Sequence, residues 1–177
     1  MFNIIKLMVK NIIVQQFTGY LSEPYLFISL PRYSDKIKTI QRATRKFYII
    51  DNGFIRARSF KISPDHGRLL ENVFFIELLR RHYRPGLELF YYHTRNGREV
   101  DFICRTANVV DQMIQVCYDI TNPKTLKREI DALTEASSEL ACKNLLLVTW
   151  DDEGEIERKG CKIRLLPAWK WLIGEGT

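Results

Sequence analysis

The chain has 177 residues, of which 46% are hydrophobic, 27% charged and 12% aromatic. This composition is typical of one globular domain, or one domain and a fragment, and it excludes disordered, collagen-like and disulfide-stapled proteins. No apolar run reaches the ~20 residues of a membrane span, and no basic residue precedes the N-terminal apolar run as it does in secretory signals. We therefore expect a cytoplasmic protein that does not cross a membrane. The four cysteines include no Cys-x-x-Cys pair, so we expect reduced thiols rather than zinc ligands.

The net charge of +6 is concentrated between residues 32 and 61, which include nine basic residues and two acidic ones. Several of these basic side chains are interleaved with isoleucine and aromatic residues, a mixture that binds phosphate backbones. The sequence therefore predicts DNA as a partner. The candidate DNA-binding residues are Lys36, Lys38, Arg42, Arg45 and Lys46. A solvated basic loop without a ligand is the alternative.

The N-terminal part is predicted to contain helices followed by a hairpin. Apolar residues at helical spacing within residues 3–23 indicate one or two helices that end before Pro24. Residues 25–30 and 47–50 are short β-rich runs, each closed by a turn signal. They would form a long hairpin around the basic segment.

A buried helix is predicted next. Ser63 is a suitable N-cap, Pro64 suits the first helical position and Asp65 complements the helix dipole. The helix should extend to about Tyr83, before Pro85. Apolar residues surround nearly its whole circumference, so we expect it to be buried.

The rest of the chain is predicted to combine strands and helices. A turn at Asn96 and Gly97 separates the first two strands, and an amphipathic helix, with Glu129 off its apolar stripe, follows from Thr121. The apolar run 145–150 is typical of a strand that is buried on both faces and parallel to a neighbour. Strands are expected at 87–93, 98–104, 113–118, 145–150 and 163–166, with a short final helix at 168–173.

Two acidic residues have apolar surroundings. Glu71 lies on the buried helix with no cation in helical reach, so its charge must be paired, neutralised or bound to a metal. Asp101 lies in the middle of a strand, where aspartate is disfavoured. For Glu71 the structural alternative is a set of hydrogen bonds from a neighbouring loop or a distant arginine. For Asp101 it is an arginine on the hairpin partner.

Strand alternation predicts how these residues meet. Asp101 and Ile103 should point to one face of their strand, and Gln115 and Cys117 should share a face of the next. Adjacent strands can then place Asp101 beside Gln115, with the helix that carries Glu71 packed over them.

This arrangement resembles the core of the PD-(D/E)xK nuclease-like superfamily. The shared features are a helix with Glu71, a hairpin with Asp101, a third strand with Gln115 and Cys117, and then a helix and a strand. The resemblance implies an α/β fold with an αβββαβ core and a central mixed sheet.

Four segments more narrowly resemble the C-terminal domain of unknown function of archaeal-type AAA+ ATPases. They are Phe-Tyr-Ile-Ile-Asp-Asn-Gly at 47–53, Gly-Arg-Leu-Leu-Glu-Asn at 67–72, Arg-Glu-Val-Asp-Phe at 98–102 and Gln-Val-Cys-Tyr-Asp at 115–119. Residues 11–50 are similar to the end of the winged helix that precedes this domain. The resemblance implies a winged-helix remnant with a basic wing at 1–50 and a nuclease-like α/β domain at 51–177. The sequence has no P-loop motif, so we expect no nucleotide cofactor.

The resemblance also implies roles. In active members a helix Glu, a strand Asp and a third-strand acid hold one or two divalent ions, and a Lys two residues later positions the attacking water. Glu71 and Asp101 match the first two positions, whereas Gln115 replaces the third acid and Cys117 replaces the lysine. These four are the candidate catalytic residues, and the first three are the candidate metal ligands.

The two departures weaken the predicted site. Two carboxylates and the amide oxygen of Gln115 could still bind Mg²⁺ or Mn²⁺ weakly. Cys117 cannot replace a lysine, because a thiol offers no positive charge. Lys127 or Arg128 on the following helix could supply the charge instead.

Three functions are open at this point. The first is a non-catalytic, DNA-interacting module with a nuclease fold and a degenerate active site, related to the C-terminal part of an archaeal-type ATPase. An ATPase module or a homo-oligomer is a further candidate partner. The alternative is a metal-dependent endonuclease that hydrolyses DNA phosphodiesters with a weakened or rearranged site. A structural oligomerisation domain is a third possibility.

Overall fold

The computed structural model describes residues 26–34, 36, 40, 43–53 and 65–174. In chain order the elements are β1 (Phe27–Leu30), β2 (Lys46–Ile49), α1 (His66–Arg80), β3 (Leu89–His93), β4 (Glu99–Thr106), β5 (Val109–Val116), α2 (Pro123–Leu140), β6 (Leu145–Thr149), β7 (Gly154–Arg158), β8 (Cys161–Pro167) and α3 (Ala168–Leu172). The fold class is therefore α/β, as predicted. The helices predicted within residues 3–23 lie outside the described residues. None of the described helices has the length and apolarity to span a membrane.

The main sheet has six strands in the order β3-β4-β5-β6-β8-β7. The first three strands are antiparallel, whereas β5, β6 and β8 run parallel to one another. This confirms the predicted order of helix, three strands, helix and strand, and the predicted parallel pairing of the apolar strand β6. The sheet is mixed because β6 is reached from β5 through the helical crossover α2.

The strand β7 was not predicted from the sequence. Its residues are mostly exposed and polar, so they lack the alternation that marks a half-buried strand. It pairs with β8 through a tight turn in which Lys159 and Gly160 both have positive φ, 50° and 73°. Two such residues are typical of a type I′ hairpin turn.

The helix α1 is shorter than predicted at both ends. Its N-cap is Asp65, whose side chain accepts a hydrogen bond from the Arg68 backbone, and so the prediction of Ser63 as N-cap is wrong. The helix ends at Arg80, and His82 adopts a positive φ of 68° just beyond it. A left-handed residue stops helical hydrogen bonding, which explains why the helix does not reach Tyr83.

Two apolar cores lie on opposite faces of the main sheet. The α1 face is packed with aromatic side chains such as Phe74 and Phe75, and the α2 face with aliphatic ones such as Leu133. The predicted hairpin is present as β1 and β2, which pair antiparallel. It is joined to α1 by Asn72, whose amide donates to the Ile49 carbonyl at 2.7 Å and accepts from the Ile49 N–H at 2.9 Å. This contact fixes β2 beside the α1 face of the sheet.

Candidate functional site

The strand β4 contains a one-residue bulge at Asp101 and Phe102. The flanking pairs are Phe90 with Ile103 and Tyr92 with Val100. Tyr91 alone therefore opposes both Asp101 and Phe102, and a bulge of this kind redirects a side chain. Asp101 faces α1 together with Phe102, whereas Ile103 belongs to the core on the α2 face. The strict alternation predicted for Asp101 and Ile103 was wrong because of this extra residue.

The ammonium group of Lys46 is the centre of the candidate site. Its Nζ lies 2.9 Å from Glu71 Oε1, 2.8 Å from Asp101 Oδ1 and 2.8 Å from Glu99 Oε1. We call these four residues the Lys46 cluster. β2, α1 and β4 each contribute to it, so residues thirty positions apart in the sequence meet at one point. Glu71 thus has a cation partner that helical spacing could not reveal.

Each carboxylate of the Lys46 cluster has a second partner. The Tyr48 hydroxyl donates to Glu71 Oε1 at 2.6 Å, and that ring stacks on Phe75 with 4.0 Å between centroids. The Val116 N–H donates to Asp101 Oδ2 at 3.0 Å. His93 Nε2 lies 2.6 Å from Glu99 Oε2. These contacts hold the carboxylates in place, since charge-assisted hydrogen bonds are stronger than neutral ones.

Charge and burial oppose each other within the Lys46 cluster. Burial alone would lower the pKa of Lys46, but Asp101 and the other surrounding groups raise it well above its usual value. Burial, together with nearby Glu71, raises the pKa of Asp101 to about 7 despite the opposing effect of Lys46. Burial also acts to raise the pKa of Glu99, but the contacts with His93 and Lys46 lower it to about 2. At neutral pH, Lys46 is charged and Asp101 is close to its midpoint.

Gln115 touches the backbone of Asp101 and extends to the opposite face of the sheet. Its Oε1 accepts from the Asp101 N–H at 3.2 Å, and its Nε2 donates to Glu129 Oε2 at 2.8 Å. Glu129 lies on α2 and is only 5% exposed. The helical pattern of α2 placed Glu129 off the apolar stripe, so its burial was not predicted. Its partner, Gln115, lies on β5 and could not be identified from the sequence of α2 alone.

Cys117 also lies on the α2 face, among the residues of the second core. Its thiol donates to the Asp119 carbonyl at 3.3 Å. Burial, with a smaller effect from Glu129, raises the pKa of Cys117 to about 11. The thiol is therefore neutral at physiological pH and supplies no positive charge to the Lys46 cluster.

The two cations considered on α2 have other partners. Lys127 Nζ lies 3.0 Å from Asp131 Oδ2, and Arg128 pairs with Glu129. The cation of the site is instead Lys46, which was predicted to be a DNA-binding residue of the basic segment. Strand alternation could have located it, because Lys46 and Tyr48 share one face of β2 and Tyr48 is a core residue.

The other candidate DNA-binding residues do not belong to the Lys46 cluster. Lys36 is exposed, and Arg45 is exposed and donates to Ser29 Oγ at 3.1 Å. Lys38 and Arg42 lie outside the described residues. Lys36 and Arg45 thus offer positive charge at the surface, unlike the ammonium of Lys46, which contacts three carboxylates.

The Lys46 cluster as arranged does not fit a divalent ion. Glu71 Oε1 and Asp101 Oδ1 both contact Lys46, and Asp101 Oδ2 accepts from Val116. The side-chain oxygen of Gln115 is bound to a backbone N–H. Among the described residues, no group of three or more His, Cys, Asp or Glu side chains is arranged to hold a metal. A divalent ion on these carboxylates would first have to displace the lysine.

Similar proteins were found in two organisms. An uncharacterized protein from Methanocaldococcus jannaschii is 37% identical over 166 residues, which cover 90% of this chain and 36% of that protein. An uncharacterized protein from Haemophilus influenzae is 30% identical over 111 residues, which cover 63% of this chain and 26% of that protein. The chain thus spans about a third or less of the length of these relatives. No solved structure matches it. Residues 66–171 match the family model described as "Domain of unknown function (DUF4143)", and the chain belongs to that family.

Proposed function

We propose that this chain is a DNA-interacting module with a nuclease-like fold whose degenerate site does not hydrolyse phosphodiesters. The observation that carries the proposal is the position of Lys46, whose ammonium lies between the carboxylates of Glu71 and Asp101. In this reading an internal cation neutralises the acids that would otherwise bind metal ions. The chain keeps the carboxylate pair as a structural element.

The surroundings of Asp101 support the loss of catalysis. Gln115 is neutral and directs its amide to Glu129, away from Lys46. Cys117 lies on the α2 face with a neutral thiol. Two of the four residues implied by the superfamily resemblance therefore contribute neither charge nor a free ligand atom on the α1 face.

The exposed basic residues support DNA as the partner. Lys36 and Arg45 are at the surface of the segment that concentrates the positive charge of the chain. Binding through such residues depends on salt, because neutralising phosphates releases counterions. We further propose that the module acts within a larger assembly that includes an ATPase module or further copies of the chain, with residues 1–50 as a winged-helix remnant.

Plasmid nicking with Mg²⁺ or Mn²⁺ tests the loss of catalysis. We expect the wild-type chain to nick supercoiled DNA no faster than the Asp101→Asn variant. Metal-dependent nicking that disappears in Asp101→Asn would contradict the proposal and establish the endonuclease.

DNA binding is tested separately by fluorescence anisotropy at low salt. We expect the double variant Lys36→Ala/Arg45→Ala to bind a labelled duplex more weakly and with a smaller salt dependence. Lys143→Ala is the matched control, since Lys143 is an exposed lysine in the loop between α2 and β6. No binding by the wild type, or an equal effect of the control, would contradict DNA as the partner.

The alternative function is a metal-dependent endonuclease with a rearranged site. The specific observation in its favour is that Lys46 lies beside Glu71 and Asp101. Cys117 occupies the position at which the superfamily resemblance implies a lysine. In this reading Lys46 has taken over the position of the missing cation from another strand. The nicking assay distinguishes the two functions.

A further inference from the structure

Three aromatic rings lie next to one another at the carboxyl ends of the central strands β5 and β6. His66 and Tyr118 are stacked with 5.0 Å between ring centroids, and Tyr118 and Trp150 lie 5.1 Å apart at an interplanar angle of 38°. Trp150 is 49% exposed, and His66 is also exposed. We call these residues the aromatic column. Both of its ends can therefore be reached by a ligand from solvent.

The chain topology places the aromatic column where parallel sheets commonly bind ligands. Tyr118 follows the carboxyl end of β5 and Trp150 directly follows that of β6. His66 is the first residue of α1, the helix that carries Glu71. Ligand sites of α/β proteins lie preferentially at the carboxyl ends of parallel strands. Val116, whose N–H binds Asp101, is two residues before Tyr118, so the column lies beside the Lys46 cluster.

We propose that the aromatic column is a stacking platform for the unpaired bases of single-stranded DNA. This inference rests on the proposed DNA interaction and assigns it a substrate class. Nucleobases are planar and extend a stack of aromatic rings whatever their sequence. The column is made of rings rather than aliphatic side chains, and its two terminal members, His66 and Trp150, are exposed.

Charges around the aromatic column favour unpaired bases over a duplex. Arg68, which pairs with Asp65, is exposed on the first turn of α1, and Arg128, which pairs with Glu129, is exposed on the second turn of α2; both helices begin at this end of the sheet. Asp151 and Asp152 are exposed directly after Trp150. These acids repel the phosphates of any DNA strand, but a flexible single strand can stack its bases on the column while its backbone bends away from the acids, which a stiff duplex cannot do.

A fluorescent base analogue tests the proposal on the whole chain. The probe is a short oligodeoxynucleotide with one 2-aminopurine, used single-stranded and as the duplex. We expect the single strand to bind with quenching of 2-aminopurine, because stacking quenches this base. Replacing a ring by Tyr118→Leu or Trp150→Leu should weaken single-strand binding about 5- to 100-fold and abolish the quenching.

Matched variants separate stacking from folding. Tyr118→Phe and Trp150→Phe keep a ring and should retain both affinity and quenching. Val109→Ala is the surface control, since Val109 is 64% exposed at the opposite end of β5. Duplex binding without quenching of the single strand, or equal single-strand affinity of the Leu and Phe variants, would overturn the stacking platform while leaving the proposed DNA interaction intact. Absence of any DNA binding by the wild type would overturn both.

Discussion

Replacing Lys46 by methionine should destabilise the fold strongly, because it leaves the buried carboxylate of Asp101 and the partly exposed carboxylates of Glu71 and Glu99 without a cation. Breaking a buried ion pair from one side typically costs about 3–5 kcal/mol. Glu71 and Glu99 are 22% and 42% exposed and are partly screened by solvent, whereas Asp101 is only 7% exposed. We therefore expect a loss of about 3 kcal/mol in the free energy of unfolding at pH 7, toward the lower end of that range.

The cost of Lys46→Met should depend on pH with a defined sign. Without the lysine, Asp101 avoids an unpaired charge by binding a proton, and this is easier at low pH. With a reference carboxyl pKa of about 3.9, protonation costs roughly a third as much at pH 5 as at pH 7. We expect the destabilisation to fall to about 1 kcal/mol at pH 5.

Urea denaturation at both pH values measures these free energies. For a chain of this length, 3 kcal/mol corresponds to a decrease of about 9 °C in Tm. Arg45→Met is the matched control, because Arg45 precedes Lys46 but is exposed, and it should change stability by less than about 0.5 kcal/mol. The double variant Lys46→Met/Asp101→Asn should recover part of the loss. Equal stability of Lys46→Met and Arg45→Met at pH 7 would contradict a stabilising ion pair between Lys46 and Asp101.

Three further predictions concern the same region. Because the pKa of Asp101 is raised to about 7, this group stabilises the fold fully below pH 4 and loses that contribution as the pH rises through 7. Asp101→Asn should therefore flatten the pH dependence of the unfolding free energy between pH 5 and 8. An unchanged slope in this variant would exclude Asp101 as the source of the pH dependence. Tyr48→Phe should lower the free energy of unfolding, measured by urea denaturation, by about 1.5–3 kcal/mol, since it removes a hydrogen bond to the carboxylate of Glu71. A change below about 0.5 kcal/mol would contradict this contact. Because burial raises the pKa of Cys117 to about 11, iodoacetamide should label Cys117 at pH 8 only after unfolding. Half-buried Cys161 should react first in the folded chain. Peptide mass spectrometry measures the order of labelling, and labelling of Cys117 before Cys161 would contradict this prediction.

Much of the fold could be predicted because the hydrophobic patterns are strong. The apolar run of β6 indicated a strand buried on both faces, and the helical stripe of α2 indicated an amphipathic helix. The start of α2 was predicted at Thr121, and the structure places the N-cap one residue later at Asn122, followed by Pro123. The exposed strand β7 was missed, because its pairing with β8 depends on turn geometry rather than on hydrophobicity.

The candidate site was only partly predictable for a different reason. The sequence indicated that Glu71 and Asp101 need partners, and the structure brings both to one point. The bulge that turns Asp101 toward α1 is a property of strand pairing and has no local signal. The identity of the cation also could not be derived from helical neighbours, since Lys46 belongs to a strand of a separate two-stranded sheet. Long-range pairing of charged residues is set by tertiary structure.

The role of Lys46 is tested most directly by Mn²⁺ binding to the wild-type chain and to Lys46→Met, measured by anomalous X-ray scattering from crystals of each. In Lys46→Met, the oxygens of Glu71, Glu99 and Asp101 surround the position vacated by the ammonium, and oxygen ligands suit Mn²⁺. We predict no Mn²⁺ between Glu71 and Asp101 in the wild type and a bound ion there in Lys46→Met. Mn²⁺ on these carboxylates in the wild type, or no gain after removal of the lysine, would contradict the claim that Lys46 takes the place of a metal ion.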